Sequence, residues 1–163
     1  MSRAFVKEDG PDNEPLPDLP VSSHPNYVTP RGLKALRDRL ATLQAELARL
    51  KARAERLDKL PEKAAERDIR YVEARLRSAI LVDPADQPGG EVAFGARVTV
   101  ADEDGADAVY EITGEDEADA SLGRIAPQSP LARALLGARV GDVVEWKRPA
   151  GRVELEILAI AYA

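Results

Sequence analysis

The chain contains no cysteine and a single histidine in 163 residues, so disulfides and thiolate metal sites are excluded. No apolar run approaches the roughly 20 residues needed to cross a bilayer. The first ten residues, MSRAFVKEDG, lack the apolar core of a secretion signal. Positive charge is not in surplus either: 23 Lys and Arg face 29 Asp and Glu, and a net charge of -6 gives no general licence for nucleic-acid binding. Together these absences predict a soluble, cytoplasmic protein without a membrane partner. Its length leaves room for one ordinary domain, or for a small globule plus an extended element.

Composition divides what is present into three parts. Six of the twelve prolines fall within residues 1–30. Proline supplies no backbone donor and cannot build a core, so residues 1–25 read as a flexible or extended arm. His24 lies in that arm beside Pro25 and reads as a linker residue, not a ligand. At NYVTPRGLKAL a helix begins, with Thr29 as the capping oxygen and Pro30 at the first helical position, where its missing N–H had no partner anyway.

Residues 26–83 carry a heptad pattern. Leu33, Leu36, Leu40, Leu43, Leu47, Leu50, Ala54 and Leu57 recur at alternating spacings of three and four. After the break at KLPE, Ala65, Ile69, Val72, Leu76 and Ala79 resume the same spacing. A turn this short forces the two helices to run antiparallel. The first helix is expected over 30–59, about 43 Å at 1.5 Å per residue, too long for a small globule to cover.

Residues 84–163 change to strand language. EVAFGARVTVAD, DAVYEITG, GDVVEWKRP and GRVELEILAIAY are rich in Val, Ile and aromatics and are separated by Gly, Pro and Asp turns. Between them SPLARALLG has a Ser-Pro start, an apolar stripe and a Gly stop, which predicts one short helix. Trp146, on VVEWK, reads as sheet packing. The fold class is therefore α+β: an N-terminal antiparallel coiled coil, then a small antiparallel sheet with one short helix. Charge is divided in the same way. Residues 31–77 hold 14 basic and 8 acidic residues, net +6, while 78–163 hold 7 basic and 16 acidic, net -9. Such a dipole would steer the molecule towards a partner with a divided field.

The stretch LDKLPEKAAERD, residues 57–68, sits at the turn and carries four carboxylates among three basic residues. Asp58 and Glu62 flank Leu60-Pro61 and have the hard oxygens that suit magnesium. Lys59, Lys63 and Arg67 beside them weaken the negative field a metal would feel. On the other reading, Asp58 caps the second helix, Glu62 favours its dipole, and Glu66 pairs with Arg70.

Several separated motifs, in order, resemble the Gre-factor family of bacterial transcript-cleavage factors: YVTPRGLKALRDRL, then VDP, VAFGARVTVADEDG, YEITGEDEADASLGRIAPQSPLARALLGARVGDVVEW, PAG and EILAIAY. The proline arm is similar to a GreB-like subgroup. The resemblance implies a C-terminal domain like the FKBP fold, docked on RNA polymerase at the rim of the secondary channel with the coiled coil inside. In PQSPLAR it places Ser129, Pro130, Leu131 and Arg133 at the docking surface. The partner implied is RNA polymerase, and indirectly the nascent RNA and DNA of the elongation complex. No catalytic residue and no intrinsic cofactor or metal is implied, only magnesium shared with the polymerase if Asp58 and Glu62 assist transcript cleavage. In cleaving members the tip carries a Gly-Asp-Leu-x-Glu-Asn-Ala-Glu-Tyr pattern. This chain lacks it, and its tip is about fourteen residues shorter, which removes about 10 Å of reach. The expectation is thus a monomeric, non-enzymatic elongation regulator that occupies the channel, the alternatives being a true cleavage stimulator or, in another class, an FKBP-like prolyl isomerase. From residue 90 on, the aromatics Phe94, Tyr110, Trp146 and Tyr162 are spread over separate strands, which argues against the isomerase.

Overall fold

A computed structural model describes residues 13–162. The chain divides into two units, each described by itself. One takes the chain up to Ser23 together with Arg37–Arg77, and the other takes His24–Leu36 with Ser78 onward. The elements in order are β1 (Tyr27–Val28), α1 (Pro30–Lys51), α2 (Leu60–Ser78), β2 (Ile80–Leu81), β3 (Arg97–Ala101), β4 (Asp107–Ile112), β5 (Arg124–Ile125), α3 (Pro130–Leu135), β6 (Val143–Arg148) and β7 (Gly151–Ala161).

In the first unit, α1 and α2 run antiparallel. Lys51 Nζ reaches Glu66 Oε1 at 3.6 Å near the turn, and the Arg39 guanidinium stands 6.0 Å from the Tyr71 ring further along. Leu40, Leu43, Leu47 and Leu50 are half-buried, and they face a stripe in which Ala65 is 5% and Val72 0% exposed. The first helix is shorter than its heptads suggest. It ends at Lys51, and residues 52–59 form a loop in which Leu57 is 95% exposed. Partner length explains this. Pro61 is tolerated only in the first turn of a helix, so α2 starts at Leu60 and its 19 residues span about 28 Å. A first helix of 43 Å would carry Ala54 and Leu57 beyond any apolar partner, whereas the observed 22 residues span about 33 Å.

Over its described residues the arm is anchored to α2. Arg70 Nε donates to Asp18 Oδ1 at 2.6 Å and Arg70 Nη2 to the Leu16 carbonyl at 2.7 Å. Proline removes donors from this segment but leaves its carbonyls, and a guanidinium on α2 takes one. The remainder of the 1–25 segment lies outside the described residues.

In the second unit, Thr29 caps α1: its Oγ1 accepts from Gly32 N at 3.0 Å and its carbonyl from Leu33 N at 2.9 Å. The Thr29 hydroxyl then donates to Glu117 Oε1 at 2.6 Å, while Arg31 binds Glu117 Oε2 at 2.5 Å and Glu111 Oε1 at 2.6 Å. A short parallel pair joins Tyr27 to Ile80 and Val28 to Leu81.

The main sheet has the order β5-β4-β3-β7-β6. It is mixed, not purely antiparallel as the sequence suggested, because β5 joins β4 in parallel after the 3-10 turn at Ala120–Leu122. Gly123 makes that return possible. Its φ is +70°, and a Cβ there would stand 2.6 Å from the Val109 carbonyl. On the inner face Val98, Val100, Ile112, Leu155 and Ile157 pack with Leu131, Ala132 and Leu135 of α3. Burying each large side chain contributes about 1.5–3 kcal/mol. A bulge in β7 opposite Thr99 and Val100 leaves Leu158 unpaired and 39% exposed.

Candidate docking groove and hairpin tip

At the tip, cations and carboxylates are already matched. Arg56 grips Glu62 with both arms of its guanidinium, Nε to Oε1 at 2.8 Å and Nη2 to Oε2 at 2.7 Å, and Arg53 Nη2 lies 3.8 Å from the same carboxylate. The Glu62 side chain is only 6% exposed. The hydrogen bonds from Arg56 hold its carboxyl below the usual carboxylate range, against the opposing effect of desolvation. Asp58 Oδ1 accepts from Leu60 N at 3.0 Å and so caps α2, and the Asp58 carbonyl accepts from Arg53 Nη2 at 3.2 Å. The ion pairs differ from those the helical spacing suggests. Glu66 meets Lys51, Asp68 meets Arg67, and Arg70 meets Asp18.

The two tip carboxylates do not fit a magnesium pair in this arrangement, because both oxygens of Glu62 are taken by a guanidinium and one of Asp58 by a backbone amide. Among the described residues no group of three or more His, Cys, Asp or Glu stands together as a metal cluster. Sequence reasoning missed Arg53 and Arg56. Their spacing to Glu62 becomes meaningful only once residues 52–59 form a loop instead of two more helical turns.

The globular unit carries an apolar groove of about 530 Å³ beside α3. Its floor is the Tyr110–Trp146 pair, with ring centroids 6.3 Å apart and nearly perpendicular, and Pro130 and Pro149 lie at its edges. The sequence left these two aromatics on separate strands. The sheet brings β4 and β6 round to one inner face, so they converge. Among the described residues the charged groups lining the groove are Lys147 and Arg148, and the Arg148 guanidinium stands 5.3 Å over the Trp146 ring.

The four residues expected at a docking surface take different positions. Ser129 is an N-cap: its Oγ donates to the Ala126 carbonyl at 2.7 Å and accepts from Ala132 N at 3.3 Å. Pro130 is exposed at the groove edge. Leu131 is 4% exposed and belongs to the core, although it also reaches the groove, and Arg133 is exposed but does not line it.

Residues 87–162 match the family model described as the C-terminal region of transcription elongation factor GreA/GreB. Over 153 residues the chain is 37% identical to transcription elongation factor GreB of Neisseria meningitidis serogroup B, covering 84% of this chain and 94% of that one. The chain belongs to the GreA/GreB family. GreA of Thioalkalivibrio sulfidiphilus is 45% identical over 96 residues, 58% of this chain and 61% of GreA, so the match spans under two thirds of that relative. A solved GreA/GreB factor from Nitrosomonas europaea is 23% identical, with a TM-score of 0.42, over 84% of this chain and 99% of its own. No helix among the described residues is long and apolar enough to cross a membrane.

Proposed function

We propose that this Gre-family protein is a cytoplasmic, monomeric, non-enzymatic regulator of transcription elongation that binds RNA polymerase. The globular unit, read as FKBP-like from its curled sheet with α3 on one face, docks at the secondary-channel rim through the groove edged by Pro130 and floored by Trp146. The hairpin enters the channel, where the nascent RNA and the DNA are its indirect partners. The observation that carries this reading is the 37% identity to a GreB over 153 residues, which takes in the hairpin as well as the globule.

The tip geometry supports one of the activities open to such a protein. Its carboxylates are committed to Arg56 and to the α2 backbone, and its first helix spans about 33 Å, not 43 Å. The protein therefore acts by occupying the channel, and lends no ligand to the polymerase's magnesium. Backtracked elongation complexes provide the test: binding with little or no stimulation of RNA cleavage is expected. Pro130→Arg, at an exposed first helical position, should leave the fold intact and weaken binding about tenfold, or about 1.4 kcal/mol. Robust cleavage by the parent, or equal affinity for parent and variant, contradicts the reading. The convergence of Tyr110 and Trp146 revives the prolyl isomerase as a second reading, and turnover of a proline peptide by the full chain would favour it.

A further inference from the structure

In a two-helix hairpin each helix buries one stripe and leaves the rest in water. Helix α1 behaves this way and is exposed at most positions from Arg37 to Lys51, but α2 has no exposed position from Pro61 to Leu76. Something covers its second side, and the arm is there. Lys63, Arg67 and Arg70 recur at i, i+4 and i+7 and so share one face. Val72 of the apolar seam lies nine residues from Lys63, about half a turn round the helix. The cationic stripe is thus opposite the seam. The arm meets it with one acidic residue bound to the stripe and a second near its other end. Glu14 and Lys63 line one cavity of about 650 Å³ at the tip, and Asp18 binds Arg70 at 2.6 Å. Four residues of extended chain cover about 12 Å, and seven residues of helix about 10 Å, so the two charge rows match in length.

We propose that the proline-rich arm is a built-in pseudo-ligand: an acidic strap, caught by the Asp18–Arg70 pair, over a cationic stripe of α2 that binds a phosphate-rich anion once uncovered. Arginine forks suit phosphate oxygens in the geometry they already use for Asp18. The catch is releasable because the Asp18 side chain is 77% exposed. A strap that covers the stripe about nine-tenths of the time lowers the apparent affinity for the anion about tenfold.

The test uses the full chain, without polymerase, so its outcome is independent of the reading above. Anisotropy of a labelled single-stranded RNA oligonucleotide is measured for the parent, for Asp18→Asn, and for Asp18→Asn combined with Arg67→Ala and Arg70→Ala. Asp18→Asn should bind about tenfold more tightly than the parent, and the combined variant should lose that gain. Glu103→Gln, an equal charge change on the β3–β4 turn, should change nothing. Displacement by sodium tripolyphosphate would show that free polyphosphate suffices, whereas displacement only by unlabelled RNA would assign the stripe to a nucleic-acid strand. Because the chain has no cysteine, Val21→Cys with Arg77→Cys carries a spin-label pair. Its distance distribution should be narrow in the parent and broad with Asp18→Asn. An unchanged distribution, equal affinity for parent and Asp18→Asn, or a gain that survives loss of both arginines overturns the proposal.

Discussion

Replacing Glu117 with Ala tests how the first turn of α1 is fixed in the globular unit. The Glu117 side chain is 6% exposed, and it accepts the Thr29 hydroxyl at 2.6 Å and Arg31 Nε at 2.5 Å. A hydrogen bond to a charged acceptor contributes about 1.5–3 kcal/mol. The Arg31 contact is discounted to at most about 1 kcal/mol because that side chain is 45% exposed and retains Glu111. Together they predict a loss of about 2–3 kcal/mol. Trp146 is the only tryptophan and lies in the same unit, so urea unfolding followed by its fluorescence reports on this unit alone. Glu117→Gln keeps an acceptor for Thr29 but loses the charge, and its loss should be about half as large. A shift below about 0.5 kcal/mol for Glu117→Ala would refute the reasoning, since the carboxylate would then be no better placed than a solvated one.

Two further perturbations follow from the geometry. Arg56→Ala should destabilise the hairpin at neutral pH, as read by thermal melting of its helical circular dichroism. Because Glu62 is held below its ordinary value, the parent's advantage is complete above about pH 4.3 and fades as the pH falls through the lowered folded value; an advantage that persists in strong acid would contradict the Arg56–Glu62 assignment. Gly123→Ala should cost about 2 kcal/mol or more, since its φ of +70° disfavours a side chain and the added Cβ meets the Val109 carbonyl at 2.6 Å. An unchanged urea midpoint would show that β5 enters the sheet by another route.

What the sequence revealed depended on periodicity. The leucine seam to Leu50, the Thr29 cap and the four long strands repeat at 3.5 or two residues, and each repeat needs only its own segment to be read. What it hid depended on convergence. The parallel return of β5 spans two residues, too few to show a pattern, and the Tyr110–Trp146 floor exists only after β4 and β6 have curled onto one face. The end of α1 failed for a third reason. Residues 52–59, ARAERLDK, contain good helix formers, so local propensity and the heptads agreed on a helix to Lys59. The limit came from α2, which is fixed at its start by Pro61 and is too short to face the extra turns. Of the candidate site residues, Ser129 and Leu131 carry structural duties that a motif match cannot separate from contact with a partner.

The committed state of the tip carboxylates is a matter of competition as well as distance. A magnesium ion seeking Glu62 would have to displace a bidentate guanidinium from a side chain that is 6% exposed, and the freed Arg56 would then sit beside the incoming cation. Arg53 adds to that repulsion, since its guanidinium is held near Glu62 by the Leu50 and Asp58 carbonyls, which accept its Nε and Nη2 at 3.0 and 3.2 Å. Both arginines are built into the turn, so the loop that shortens the hairpin also withdraws its acid. Shortening and neutralisation are then one structural event: once α1 stops at Lys51, Arg53 and Arg56 fall in the loop beside the first turn of α2, and the carboxylate at that turn becomes their partner. A longer α1 would hold these arginines on its own helical surface and leave Glu62 open to solvent and cation.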